Sequence, residues 1–353
     1  MSSDGRYSWR FNAVGEPLER VEDAARRPGQ GEVVVKIAGC GVCHTDLGFL
    51  DGSVATKQPL PIVLGHEISG RVVEAGPGAE DWLEKAVLIP AVIPCDICDL
   101  CLAGKGNACI NQKMPGNDLD GGWATHITVP TNGLSVIEGL PDRYELADLS
   151  VIADAVTTPL QAVRRAGVSD GDFVVIVGVG GVGSYAVQIA AASGGTVVAV
   201  DIDDERLDQL KDFGASATVN SRGMSPRDVR DAVRAHAKTF GKPATGWKIF
   251  ECSGTAPGQE TAYGMLGPQA TLAVVGFTMD KISVRLSNLM AFDATAFGTW
   301  GCPPQLYPEA IELVTSGKVD LAPFIRKVPM TDIAQALDDA HNRVDPRRTI
   351  LIP

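Results

Sequence analysis

The stretch VVIVGVGGVGSYAVQIA, residues 174–190, constrains the fold more than any other part of this 353-residue chain. A β-branched run leads into Gly178-x-Gly180-Gly181-x-Gly183, and a helical pattern follows. Glycines in this order let backbone amides approach a pyrophosphate at a helix N-terminus, and the last lets helix pack close to strand. A second strand, TVVAVDI, carries Asp201, placed to hydrogen-bond an adenosine 2′-hydroxyl and to repel a 2′-phosphate. The expected cofactor is therefore NAD rather than NADP. Arg206 argues mildly the other way, yet its position one helical turn on also suits a ribose contact. Strand and helix patterns keep alternating through DERLDQLKDFGA, KIFECSG and TLAVVGF, which indicates βαβ units and a doubly wound parallel sheet. Val275 and Gly276, in the last of these runs, are further candidate cofactor contacts.

A different texture precedes about residue 150. Residues 31–75 alternate short apolar runs (EVVVKIAG, ISGRVVEAG) with glycine turns and read as β-rich, whereas 76–135 read as loop-heavy. Within that loop region Cys95, Cys98, Cys101 and Cys109 place four of the chain's eight cysteines in fifteen positions. Their spacing, C-x2-C-x2-C-x7-C, lets a tight turn deliver four thiolates to one zinc ion. An iron–sulfur cluster is the rival, but a ferredoxin run places its next cysteine after three residues, and here there are seven. A closed, structural zinc is favoured, pinning a loop whose apolar content looks too small to order it.

A second constellation joins GCGVCHTD (residues 39–46) to GHEISG (residues 65–70). Cys43 offers a thiolate and His66 an imidazole, as a catalytic zinc with an open position would need. Asp46 is placed to accept the second imidazole N–H, and Glu67 to act as a carboxylate behind the ligands. Taken alone, one cysteine and one histidine are weak evidence, equally compatible with a buried thiol and a hydrogen-bonded surface imidazole. Cys40, Cys252 and Cys302 read as buried small hydrophobes, and His126, His236 and His341 receive no role.

The chain carries a net charge of −12, which argues against general binding of nucleic acid or an anionic membrane. The first thirty residues show no apolar signal core, and no run of eighteen uncharged apolar residues occurs. A cytoplasmic protein is expected, in a reducing compartment where clustered thiols hold metal more often than they pair.

Together, GCGVCHTD, GHEISGRVVEAG, the four-cysteine loop and VGVGGVG resemble the zinc-dependent medium-chain alcohol dehydrogenases, in that family's order and over nearly the full chain. The resemblance implies a GroES-like catalytic domain over residues 1–153 with the zinc lobe at about 92–112. It further implies a Rossmann NAD-binding domain over 154–295 and a return to the catalytic domain over 296–353. It assigns Cys43 and His66 to the catalytic zinc, Cys95, Cys98, Cys101 and Cys109 to the structural zinc, and Thr45 to the substrate oxygen. His44 falls near the cofactor pyrophosphate. The third catalytic ligand, usually cysteine, matches Asp154 in DAVTTPLQAV, which puts Thr158 near the nicotinamide. A carboxylate there is a harder donor and should leave the zinc a stronger Lewis acid.

Gly48 stands where many relatives end a proton relay on histidine, so the relay needs another route. The segment from PAVIPCDICDLC to GGWATHI looks most like family members that oxidise a ring allylic alcohol on an acyl-CoA during anaerobic benzoyl-CoA degradation. The implied reaction is oxidation of a secondary, cyclic allylic alcohol, as a CoA thioester, to the enone. Two alternatives stay open: oxidation of an alcohol without CoA, and a zinc-assisted hydration of an enone, for which Gly48 leaves space. Relatives assemble as homodimers or homotetramers, and either is expected here.

Overall fold

The computed structural model describes residues 5–22 and 26–353. They form two compact units: the described part of Met1–Thr157 with Gly301–Thr315 and Leu321–Pro353, and Thr158–Trp300 with Ser316–Asp320. Each has its own apolar core, in keeping with chains of this length.

The first unit is organised by one long strand, Glu32–Gly41, in which Val33, Val34, Val35, Ile37 and Cys40 are all buried. It belongs to a seven-stranded sheet ordered Ile325–Pro329, Arg348–Ile352, Glu32–Gly41, Glu67–Ala75, Ala86–Ile89 and Ser135–Val136, with His126–Pro130 also paired to Glu32–Gly41. A smaller sheet joins Glu19–Glu22, Tyr7–Phe11 and Ile62–Val63. Between them lies a core that includes Phe11, Val35, Ile68, Val72, Trp123 and Leu351. The span 76–135 is less loop-like than its sequence suggests, because it contributes Ala86–Ile89 and His126–Pro130. Ala86–Ile89 is a short apolar run and His126–Pro130 a short alternating one, each set among glycine- and proline-rich surroundings. The tail adds two helices, Tyr307–Thr315 and Ile333–His341.

The second unit is the expected doubly wound sheet. Its strands are all parallel, in the order Ala215–Asn220, Thr196–Asp201, Phe173–Val177, Lys248–Glu251, Thr271–Val274 and Thr295–Gly298. Phe173–Val177 is buried throughout, as a strand covered on both faces must be. The chain order reverses between Phe173–Val177 and Lys248–Glu251, and in open sheets of this kind ligands bind in the crevice at that switch point. Among the described residues no helix is long and apolar enough to cross a membrane.

Candidate functional site

In the first unit two glycines of GCGVCHTD explain how the site is assembled. A Cβ on Gly39 would lie 2.9 Å from both the Ala147 carbonyl oxygen and Ile350 Cγ2, so only glycine lets the helical turns Leu146–Ala153 pack this closely on the strand. Those turns end at Asp154. Ser69 Oγ anchors them by donating to the Leu146 carbonyl at 2.7 Å, and Tyr307 Oη by donating to the Ala153 carbonyl at 2.5 Å. Gly41 pairs with Glu67 on one side and Ile350 on the other. A Cβ there would overlap the Glu67 carboxylate, which crosses the glycine to reach Arg348. Arg348 grips both oxygens, Nε donating to Oε2 at 2.7 Å and Nη2 donating to Oε1.

Cys43 caps the start of the helix His44–Leu50, and Asp46 Oδ2 accepts the Cys43 N–H at 3.0 Å. Asp46 Oδ1 accepts the Gly65 N–H at 3.2 Å and stands 3.1 Å from His66 Nδ1. That contact fixes the ring's direction and turns Nε2 toward Asp154, whose Oδ2 is 3.7 Å away. Cys43 Sγ lies 3.7 Å from Asp154 Oδ2 and 3.8 Å from Thr45 Oγ1. Donor atoms of Cys43, His66, Glu67 and Asp154 all fall within 4.8 Å of one another. Edges near 3.7 Å are what a tetrahedral ion with ligands at roughly 2.0–2.3 Å requires. As thiolate, Cys43 joins Glu67 and Asp154 to bring three negative charges against the one Arg348 guanidinium, and a divalent cation supplies the balance. Burial lowers the His66 pKa, but Asp46 and Asp154 outweigh it and raise the imidazole well above its usual range. A cation at Nε2 takes the place of that proton. The residues fit zinc.

One Glu67 carboxylate oxygen lies within 4.8 Å of the Cys43, His66 and Asp154 donors, and Arg348 holds both of its oxygens. Its partner Arg348 carries no motif and lies 281 positions away, so nothing in the sequence pointed to it. Burial pushes Glu67 up, to about 7, against the pull of Arg348. His44 is exposed on the same helix. Gly48 has room beside it, the nearest atom to a Cβ being Ser53 Oγ at 3.6 Å.

The four-cysteine loop closes on itself through paired backbone hydrogen bonds between Ile93 and Lys113, both 2.9 Å. Its sulfurs also form a cluster within 4.8 Å, with Cys98 Sγ 3.5 Å from Cys101 Sγ and 3.7 Å from Cys109 Sγ. The Cys95 and Asn111 amides donate to Cys109 Sγ at 3.4 and 3.3 Å, as amides around a metal-bound thiolate do. This set fits a closed zinc site. The loop is not poor in apolar residues, however: Ile97, Leu102 and Ile110 are simply turned outward.

In the second unit Gly178 adopts φ +83°, and a Cβ on it would strike the Ser253 backbone across the switch point. A Cβ on Gly183 would strike the Gly178 carbonyl, so both glycines are required for the turn that opens the helix Gly183–Ala192. Asp201 braces this turn from the neighbouring strand: Oδ2 accepts the Val179 N–H at 2.7 Å, and Oδ1 accepts those of Ile202 and Asp203. Arg206 Nη1 lies 3.6 Å from where a Gly180 Cβ would stand, which puts the guanidinium beside the glycine loop. Gly181 belongs to the same turn. Val275 and Gly276 both donate to the Glu251 carbonyl, and Gly276 leaves no space for a side chain against Gly254. Thr158, half-buried, begins this unit. The cradle that side chains would fill fits a dinucleotide pyrophosphate. Of the three cysteines read as buried, Cys40 and Cys302 are, while Cys252 at the crevice is only half-buried.

Residues 29–139 match the model of the alcohol dehydrogenase GroES-like domain, and residues 181–316 that of the zinc-binding dehydrogenases. An alcohol dehydrogenase of Geobacillus stearothermophilus is 31% identical over 325 residues, covering 92% of both chains. Galactitol 1-phosphate 5-dehydrogenase of Escherichia coli K12 is 32% identical over 337 residues, covering 92% of this chain and 93% of the other. The crystal structure of galactitol-1-phosphate dehydrogenase from Escherichia coli superposes with a TM-score of 0.87 at 30% identity, covering 98% of this chain and all of that one.

Proposed function

The chain belongs to the zinc-dependent medium-chain dehydrogenase/reductase family and is an NAD-dependent, zinc-binding alcohol dehydrogenase; from that premise we propose that it oxidises a secondary alcohol that carries no coenzyme A. The observation that carries this reading is the cluster of Cys43, His66, Glu67 and Asp154 donors beside the Thr45 hydroxyl. A zinc ion held by Cys43, His66 and Asp154 would supply the Lewis acidity that lowers the pKa of an alcohol hydroxyl, and an NAD held by the glycine turn would supply the hydride acceptor. Cys43, His66 and Asp154 hold the metal, and Asp46 keeps the imidazole turned to it. Glu67, tied to Arg348, balances charge at the same point. Thr45 Oγ1 accepts the proton of the substrate hydroxyl and passes it toward solvent, there being no imidazole at Gly48 to receive it. Gly178, Gly180, Gly181 and Gly183 cradle the pyrophosphate, Asp201 and Arg206 address the adenosine ribose, and His44, Thr158, Val275 and Gly276 complete the cofactor contacts.

The relatives named above support an alcohol in the general sense. The finer alternative is the cyclic allylic thioester of 6-hydroxycyclohex-1-ene-1-carbonyl-CoA dehydrogenase, and it rests on the likeness of residues 90–127 alone. Release of NADH from secondary alcohols, cyclic allylic alcohols and the corresponding CoA thioesters separates the two. Preference for free secondary alcohols supports the proposal, and turnover confined to CoA thioesters overturns it. Replacing Asp154 with alanine should remove one of two zinc ions per chain and lower kcat by at least about a thousandfold, since a ligand and not a bystander is lost. Retention of both metal and rate would refute the ligand assignment.

A homo-oligomer is part of the same proposal. Thr295–Gly298 forms the open edge of the parallel sheet, and exposed Leu286 and Met290 stand just before it.

A further inference from the structure

The strand Tyr7–Phe11 packs Tyr7, Trp9 and Phe11 on the core of the first unit, so alternation places Arg6 and Ser8 together on its other face. Arg6 and Ser8 line a cavity of about 270 Å³, whose remaining walls come mostly from residues 119–128. Ser8 is only 1% exposed, yet its hydroxyl has no hydrogen-bond partner among the described residues. Arg6 shows the same deficit. Its Nη2 donates to Glu74 Oε1 at 2.7 Å, but Nη1 is buried without an acceptor among the described residues. Buried donors are normally satisfied, because taking them out of water unpaired is costly. Two orphaned donors, one of them cationic, on the same cavity call for a guest that accepts hydrogen bonds.

The charges and the walls narrow the guest's chemistry. Arg26, which is exposed, also lines the cavity, with Nη2 donating to Glu32 Oε1 at 2.8 Å. Neither Glu32 nor Glu74 is part of the lining, where Asp120 is the one carboxylate, exposed and with Oδ1 accepting the Val63 N–H at 3.0 Å. Two guanidiniums against one carboxylate favour an anion. Because glutamates already answer part of each guanidinium, one negative charge suits the site better than two. Buried Val34, Val63 and Ile127 supply apolar wall beside these polar groups. The volume is just under the roughly 300 Å³ at which ligand clefts begin, so the guest is small.

We propose that this cavity is a binding site for a small organic carboxylate. The carboxylate accepts from Arg6 Nη1 and the Ser8 hydroxyl, and the hydrocarbon body lies against Val34, Val63 and Ile127. Every residue of the lining belongs to the first unit, and none is a donor of either metal cluster, so the site is separate from the centre that oxidises the alcohol.

Thermal unfolding of the zinc- and NAD-loaded full chain, followed at increasing benzoate, tests it. The wild-type midpoint should rise with benzoate, as it does for a ligand that binds only the folded chain. Ser8→Ala removes a hydroxyl that the free protein leaves without a partner, so its midpoint without benzoate should equal or exceed that of the wild type. Its affinity for benzoate should nevertheless fall at least about tenfold, the ordinary effect of losing one hydrogen bond to a charged group. Asp120→Asn keeps the acceptor for Val63 and removes the carboxylate of the lining, so benzoate should bind it severalfold more tightly. A wild-type midpoint indifferent to benzoate would overturn the proposal and leave water as the guest. A rise that Ser8→Ala does not reduce would put the benzoate elsewhere, as on the catalytic zinc, and overturn it equally. Weaker binding to Asp120→Asn would show that the guest is not an anion. Inorganic phosphate raising the midpoint more than benzoate, in the same Ser8-dependent way, would overturn the choice of a carboxylate.

Discussion

At the scale of single residues, the metal donors were legible because their chemistry is tied to type: few side chains can serve, and Cys43 and His66 sit in turns that glycine makes possible. Arg348 was not legible, because its role depends on which strand lies beside Gly41, and RTILI carries no mark of that pairing. Glu251 was equally silent. It ends the strand Lys248–Glu251 in KIFECSG, and its carboxylate is buried at the crevice. Oε1 accepts from the Ser253 amide and hydroxyl and from the Gly254 amide, while Oε2 has no hydrogen-bond partner. Burial raises its pKa above the ordinary 4.5, against those hydrogen bonds. Between the unfolded and the folded pKa the unfolded chain releases a proton that the folded one keeps, so stability falls as pH rises through that window. Glutamine preserves the acceptor at Oε1 and stays neutral. Urea unfolding should therefore find E251Q close to wild type below pH 4.5 and increasingly more stable than it as pH rises above that value. A difference that does not change with pH would show that the carboxyl's ionisation contributes nothing.

At the scale of elements, the strand–turn–helix around Gly178 was readable in full, since its periodicity switches from buried run to helix across a glycine spacing with one structural use. The short strands of the first unit were not: Ala86–Ile89 is ordered by partners on both sides, not by its own four residues. The four-cysteine lobe was half readable. Spacing revealed the cluster, but not the outward turn of Ile97, Leu102 and Ile110. The glycine turn also allows a sharp test of the cofactor site. Gly183 meets the Gly178 carbonyl, a backbone atom that cannot rotate away, so Gly183→Ala must open the turn. NADH affinity, followed by fluorescence titration, should fall by roughly a hundredfold, about 2.7 kcal/mol, with both zinc ions retained. Unchanged affinity would mean that the dinucleotide does not use this turn.

At the scale of the whole molecule, the two chemistries are divided between the two units. Every clustered metal donor, Cys43, His66, Glu67, Asp154 and the four lobe cysteines, lies in the first, and the glycine turn with Asp201 and Glu251 lies in the second. Each unit also has a separate core, one including Trp123 and Ile68, the other Val175, Ile249 and Trp247. A ligand stabilises whatever must be folded to bind it, by about 2.7 kcal/mol at a hundredfold excess over its Kd. Metal and dinucleotide should therefore protect different parts of the chain. In hydrogen-exchange measurements, saturating NADH should slow exchange in the strands Phe173–Val177, Thr196–Asp201 and Lys248–Glu251. Stripping zinc with a chelator should quicken exchange at residues 43–46, 65–67 and 95–109 while leaving those three strands protected. Equal loss of protection in both units on zinc removal would show that they unfold as one cooperative block, and that the metal sites support the dinucleotide fold as well as their own.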